Sequence, residues 1–308
     1  MANCIIPPAL QRGDKVIIVA PSKAISGQAD VAHARQILES WGLKVEFAKH
    51  LFAQHHQFAG TDAQRAADLQ AAFDDTSIKA VFCVRGGYGM SRIIDQIIFD
   101  GIKNSPKWVI GFSDITLLLS ELYQNGMASV HGIMPKLFGQ QGAEYSVESL
   151  RQWLFKKSIQ YQITGSALNR EGTATAELVG GNLTMFCHAI GTRSEIDTRG
   201  KILFLEDVGE HLYHIDRLFW QLRRSGKLAG LAGLIVGHFS DMEDNTPSFG
   251  QSLQQIVATH TQDFDYPIAY HFPVGHEPQN VALPLGVPLQ FSVGKRYVSL
   301  QTPQTYLV

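Results

Sequence analysis

A chain of 308 residues, 45% hydrophobic and 18% charged, has the means to bury one large core or two of ordinary size. Its net charge of −2 excludes global attraction to nucleic acid or to an anionic membrane, so neither is expected as a partner. Three cysteines, Cys4, Cys83 and Cys187, are too few and too scattered for a disulfide framework or a metal knot; buried thiols in a reducing compartment are expected. Ile5-Ile6 is halted by Pro7-Pro8, so no signal peptide is expected, and no apolar run approaches the ~20 residues of a membrane span. These features together predict a cytoplasmic protein.

The first half alternates strands and helices. Val16 to Ala20 is a continuous apolar run, as in a strand buried on both faces. Val31, Ala34, Ile37, Leu38 and Trp41 recur at helical spacing and stop at Gly42. Val45 to Ala48 is a second strand. A loop with His50, His55 and His56 leads to a helix whose Thr61 and Gln64 have the spacing of a capping box. Ala80 to Val84 is a third strand, followed by the glycine turn Arg85 to Gly89, with Ile93, Ile94 and Ile97 at helical spacing beyond it. Trp108 to Ile110 is a fourth strand and Ala128 to His131 a fifth. Strands joined by helices through short loops imply parallel βαβ units, hence a doubly wound α/β domain over residues 1–160.

A helix near Val147 to Phe155 and an isolated strand near Tyr161 to Thr164 interrupt the rhythm, and the crossover is placed there. A second, β-rich α/β domain is expected over 171–308. Its strands are predicted at Thr173 to Leu178, Ile202 to Leu205 and Leu234 to Val236, and its helices near Leu183 to Ile190, His211 to Arg224 and Phe249 to His260.

One stretch organises the chemistry: Lys107-Trp108-Val109-Ile110-Gly111-Phe112-Ser113-Asp114. A short buried strand ends at Gly111, and Ile115, Leu118, Leu119 and Leu122 open a helix, so Ser113 sits on a strand-to-helix corner. Free backbone N–H groups and the positive end of the helix dipole gather there, which suits a nucleophilic hydroxyl; an ordinary N-cap is the competing reading. The hydrolase signature asks for a small residue two places after the serine, and here it is Ile115.

A serine nucleophile needs a base and the base an orienting carboxylate. Glu206 and Asp207 both follow an apolar strand, and alternation does not choose between them. Among twelve histidines, His276 stands in a loop framed by Gly275 and Pro278; His131 follows a strand; His188 reads as a core histidine; His211 and His214, three apart, lack a third metal ligand. The glycine turns at Arg85 to Gly89 and Gly180-Gly181-Asn182 each precede a helix and have the form of anion or oxyanion cradles.

Taken together, Val19-Ala20-Pro21-Ser22, Phe58-Ala59-Gly60-Thr61, Val84-Arg85-Gly86-Gly87-Tyr88-Gly89, Gly111-Phe112-Ser113-Asp114, Gly180-Gly181-Asn182-Leu183, Leu205-Glu206-Asp207 and Gly275-His276 resemble the serine LD-carboxypeptidases, with the microcin-C immunity peptidases as a close branch. The resemblance implies a Ser–Glu–His triad falling on Ser113, Glu206 and His276, the first in the N-terminal domain and the others in the second. It implies a peptide substrate, a cytoplasmic muropeptide tetrapeptide cut before its terminal D-alanine, and no cofactor. Backbone N–H groups of Gly86, Gly87 and Asp114 are the expected oxyanion donors. Arg85, Lys23 and the helix start after Asn182 are candidates for the substrate carboxylate, and Tyr88 for a further substrate contact. A homodimer is compatible with the chain. The immunity branch would call for an adenine platform; Trp220 and Phe249 are the candidates, and core packing is expected to explain both. A non-catalytic binder of peptides or sugars would have no use for the three matched positions.

Overall fold

The computed structural model describes residues 4–304. In chain order the elements are β1 (Lys15–Val19), α1 (Ala29–Ser40), β2 (Lys44–Phe47), α2 (Asp62–Asp74), β3 (Ile78–Cys83), α3 (Asp100–Asn104), β4 (Trp108–Gly111), α4 (Thr116–Gln124), β5 (Ser129–His131) and α5 (Glu144–Lys156). Then follow β6 (Gln160–Thr164), β7 (Gly172–Asn182), α6 (Leu183–His188), β8 (Ile202–Val208), α7 (Leu212–Arg224), β9 (Gly233–Ser240), α8 (Leu253–Thr261), β10 (Ile268–Ala269), β11 (Leu283–Leu285), β12 (Pro288–Val293) and β13 (Tyr297–Gln301). Short 3₁₀ turns punctuate them.

Among the described residues two compact units result: 4–157 with 278–286, and 158–277 with 287–304. The first holds a six-stranded sheet in the order β11-β5-β4-β3-β1-β2, parallel throughout except for β11. Its strands are the apolar runs of the sequence, and Val16, Ile18, Ala80, Val81, Phe82, Val109 and Ile110 are wholly buried. The direction of winding reverses between β1 and β3, so the loops after these strands flank the crevice that such a reversal leaves at the carboxyl ends. Trp108 anchors the far side: its indole N–H donates to the Pro8 carbonyl (2.9 Å) and its ring meets Trp153 of α5 edge-on. The Lys107 ammonium, itself buried, donates to the carbonyls of Ala72, Phe73 and Asp75 and so closes the C-terminal end of α2.

The second unit is a seven-stranded mixed sheet, β10-β9-β8-β7-β12-β13-β6. Its β10 to β7 half is parallel and carries helices; its β7 to β6 half is antiparallel. The expected architecture, a doubly wound sheet and a β-rich α/β unit, is therefore what the chain adopts.

Several expectations need correction. The boundary falls between 157 and 158, because β6 pairs with β13 of the second unit. The stretch 278–286, expected in the C-terminal domain, belongs with the first unit: β11 pairs antiparallel with β5, and two serines of α5 hold the returning chain through Asn280 N–H to Ser146 Oγ (2.7 Å) and Ala282 N–H to Ser149 Oγ (2.9 Å). No α-helix runs through Ile93 to Ile97; two 3₁₀ turns stand there, since Ile93 at φ −121° breaks helical geometry. Gly180 and Gly181 do not turn before a helix but extend β7, where a side chain on Gly180 would strike the Phe204 carbonyl of β8. The helix expected from Phe249 starts at Leu253, because Ser252 and Gln255 form its capping box.

Candidate active site

In the first unit, β4 delivers the chain to a strained corner. Phe112 is extended, and Ser113 then takes φ +63°, a left-handed conformation that costs a non-glycine residue roughly 1–2 kcal/mol. A 3₁₀ turn over 113–115 leads into α4. Ile115, where a small residue was called for, fits because Gly111 is bare: a Cβ on Gly111 would lie 2.6 Å from Ile115 Cγ2. Ser113 is half-buried.

The surroundings of this corner come from loops after β1 and β3. The Asp114 carboxylate is buried, and its Oδ2 accepts from Ser22 Oγ (2.6 Å) and from Met90 N–H (2.9 Å). It thereby ties both loops to the residue after Ser113. Arg65 of α2 is also buried and donates to the carbonyls of Pro21 and Gly89, while pairing with Asp62. Gly86 is pressed against the serine: a Cβ there would lie 2.8 Å from Ser113 Cβ and 3.0 Å from Oγ. Among the described residues neither the Gly86 nor the Gly87 N–H meets an acceptor, which leaves two donors beside the hydroxyl. Ser22 stood in a matched segment without a role, and Arg65 and Asp62 had no place in the sequence reading; the one available signal was an arginine beside the apolar face of α2.

In the second unit, β8 carries the two acids. Its register with β9 shifts between Leu205 and Asp207, a bulge that re-aims the residue between them. Glu206 is fully buried, and its Oε2 lies 2.8 Å from His276 Nδ1. Asp207 turns elsewhere. It accepts from Asn182 Nδ2 (2.7 Å), from the N–H (3.0 Å) and hydroxyl (2.9 Å) of Thr184, and from Val208 N–H. So only Glu206 reaches the histidine. Gly275, at φ +134°, lets the His276 loop close on the acid: a Cβ there would stand 3.1 Å from Glu206 Oε2 and 3.2 Å from His238 Cβ.

Burial drives the Glu206 carboxyl above the usual carboxylate range, against the hydrogen bond and charge of His276. For His276, burial acts downward, but the Glu206 hydrogen bond and the charges of Glu206 and Asp207 outweigh it, and its pKa lies above that of ordinary histidine. Burial lowers the pKa of His238, whose Nδ1 has no partner.

The other candidates disperse. His131 is buried in β5, with Nε2 3.2 Å from Asn280 Oδ1. His188, expected in the core, is exposed, because α6 ends there and turns that position to solvent. His211 pairs with Glu243 and His214 with Glu210, so the two do not converge, and no group of three metal-ligating side chains occurs among the described residues. Trp220 is 47% exposed rather than in the core, since the buried face of α7 is Ile215, Leu218, Phe219 and Leu222; Phe249 is half-buried. Tyr88 is exposed, 5.8 Å from Phe58. The Asn182 side chain is engaged in capping α6, where it accepts from Met185 N–H (3.1 Å), and in holding Asp207. Cys83 and Cys187 are buried free thiols, as anticipated.

Residues 16–132 match the family model for the LD-carboxypeptidase N-terminal domain, and residues 175–291 that for the LD-carboxypeptidase C-terminal domain. The chain belongs to the LD-carboxypeptidase family. It is a serine-type carboxypeptidase, in keeping with its relatives. A probable murein peptide carboxypeptidase of Bacillus subtilis is 36% identical, over 94% of this chain and 92% of its own. A murein tetrapeptide carboxypeptidase of Pseudomonas aeruginosa is 33% identical, over 88% and 91%. The crystal structure of muramoyltetrapeptide carboxypeptidase from Oxalobacter formigenes superposes with a TM-score of 0.86 at 26% identity, covering 93% of this LD-carboxypeptidase and 98% of that chain.

Proposed function

We propose that this carboxypeptidase releases terminal D-alanine from murein tetrapeptides by hydrolysing the L,D-peptide bond, with Ser113 as nucleophile, His276 as base and Glu206 as its orienting carboxylate. The buried Glu206–His276 hydrogen bond carries the mechanistic part of this reading. The names of the relatives from Bacillus and Pseudomonas support the substrate. A cytoplasmic role in recycling cell-wall peptides follows from that substrate.

The steps are those of acyl transfer. His276 Nε2 takes the Ser113 proton as Oγ attacks the scissile carbonyl, and Nδ1–H stays bonded to Glu206, which stabilises the imidazolium. The oxyanion of the tetrahedral intermediate is received by N–H groups of Gly86, Gly87 and Asp114. The imidazolium returns its proton to the D-alanine nitrogen, the C–N bond breaks, and D-alanine leaves. Water, deprotonated by the same imidazole, then cleaves the Ser113 ester and regenerates the hydroxyl.

The test is incubation of the purified protein with tetrapeptide, pentapeptide and tetrapeptide C-terminal amide, with products read by mass. Loss of D-alanine from the tetrapeptide, little turnover of the other two, and none with Ser113→Ala are expected. Equal rates on acid and amide would indicate an amidase or endopeptidase. Cleavage of an aminoacyl-nucleotide amide analogue in place of the tetrapeptide would move the protein to the immunity branch.

A further inference from the structure

A carboxypeptidase must read a free carboxylate, and the geometry of peptides puts that group close to the chemistry. The terminal carboxylate lies one residue beyond the scissile bond, within about 3.6 Å along the chain. Its reader must therefore stand beside the nucleophile corner. A cation or a set of free N–H donors would serve.

Of the places the sequence offers, two are already partly engaged. The start of α6 has spent its donors, Thr184 N–H on Asp207 and Met185 N–H on the Asn182 side chain. Arg85 is partly engaged: its Nη1 donates to the Ala24 carbonyl (3.2 Å), its buried Nε meets no partner, and its charge acts on Asp30, whose carboxyl is lowered mainly by Ser26 N–H and to a lesser degree by Lys136 and Arg85.

Lys23 differs on each count. It follows β1, and the glycine turn follows β3, so both border the crevice at the point where the sheet reverses its winding. Its backbone is pinned. Lys23 forms an isolated antiparallel bridge with Phe58, Ala24 N–H donates to the Gln57 carbonyl (2.9 Å), and the preceding Ser22 is bonded to Asp114. Its stem crosses the bare face of Gly87: a Cβ on Gly87 would lie 2.8 Å from Lys23 Cβ and 3.1 Å from Cδ. The neighbouring Gly86 makes the corresponding approach to Ser113 Oγ, and consecutive α-carbons are about 3.8 Å apart. Two adjacent glycines thus admit the nucleophile on one and a lysine stem on the other. The side chain is exposed, and among the described residues no carboxylate lies within ion-pair distance of its ammonium.

We propose that Lys23 is the specificity residue that holds the C-terminal carboxylate of the peptide substrate. This rests on the serine carboxypeptidase reading above. A pinned α-carbon with an unpaired, flexible ammonium can follow the carboxylate through the tetrahedral stage, and it gives no such bond to an amide or to a chain extended by one residue.

The experiment compares kcat/KM for tetrapeptide acid and tetrapeptide amide in wild type, Lys23→Met, Lys23→Arg and Arg85→Met. In wild type the acid is preferred. Lys23→Met reduces that preference by about ten- to a hundredfold, the range set by loss of one charge-assisted hydrogen bond, chiefly through KM, while Lys23→Arg restores most of it. The position is exposed, so unchanged melting temperatures will separate the effect from misfolding. A Lys23→Met enzyme with the wild-type acid preference overturns the proposal, and so does loss of preference in Arg85→Met alone; either result leaves the carboxypeptidase reading standing. A wild-type enzyme with no acid preference at all would remove that reading first, and Lys23 with it.

Discussion

Glu206→Gln removes a charge while nearly preserving shape, so it isolates what the acid does for His276. In the wild type the carboxylate is fully buried and 2.8 Å from Nδ1, a distance proper to a charge-assisted hydrogen bond. Such a bond contributes on the order of 1.5–3 kcal/mol, so its loss should destabilise the imidazolium and lower the His276 pKa. The sign follows from the mechanism. In the proposed mechanism His276 acts as a base only when neutral, and Glu206 raises its pKa, so the acid limb of kcat/KM in the wild type is expected to have its midpoint above that of ordinary histidine. With glutamine the limb moves to lower pH. The plateau falls as well, by up to about 10⁴-fold, since the imidazolium formed in the transition state loses its counter-charge and tautomer control. Steady-state kcat/KM from pH 5 to 9, with Asp207→Asn in parallel, is the assay. Asp207 bonds Asn182 and Thr184 instead of His276, so its substitution should shift the limb far less. An unmoved limb in Glu206→Gln, or a larger displacement in Asp207→Asn, would refute the reasoning.

Three further outcomes follow from the packing. Ser113→Gly should abolish turnover and yet stabilise the fold by about 0.5–1 kcal/mol, because glycine accepts φ +63° without strain; urea denaturation showing a less stable variant would contradict this. Gly86→Ala puts a methyl 2.8 Å from Ser113 Cβ, and its kcat should fall by roughly 10²–10³, the effect of displacing an oxyanion donor, as single-turnover rates would reveal. Lys107→Met leaves the carbonyls of Ala72, Phe73 and Asp75 without their donor and should cost about 1–3 kcal/mol of stability; an unchanged denaturation midpoint would show that the ammonium does not hold α2.

The alternation of strands and helices in the first unit was legible because its inner parallel strands β3 and β4 are buried on both faces and so read as unbroken apolar runs. Thr61 and Gln64 announced the start of α2 and form the anticipated capping box. The same signature stood at Ser252 and Gln255, and passing over it displaced the expected start of α8. The corner at Ser113 could be inferred from Gly111 and the spacing of Ile115, Leu118 and Leu122, since both signals are local. What escaped was non-local. Nothing near Leu283 foretells that β11 leaves the second unit to pair with β5, for a three-residue strand containing Pro284 has no pattern of its own, and its anchors are serines on a helix more than 130 residues earlier.

The choice between Glu206 and Asp207 shows why a site is harder to read than a strand. Alternation says that neighbours face opposite ways, yet it cannot say which way serves the chemistry. That is decided by a bulge between β8 and β9 and by the conformation of Gly275, neither of which has a signature in the acid pair itself. The two units share one device. At Gly86 and again at Gly275 the missing side chain lets backbone approach a polar side chain closely, Ser113 Oγ at 3.0 Å and Glu206 Oε2 at 3.1 Å from where a Cβ would be. A glycine in a sequence signals only permission; what it permits depends on residues far away in the chain. Glycine motifs could therefore mark the neighbourhood of the chemistry before its partners were known, while the bonds that join Ser22 and Met90 to Asp114, and Arg65 to Gly89, became visible only once the fold had brought those residues together.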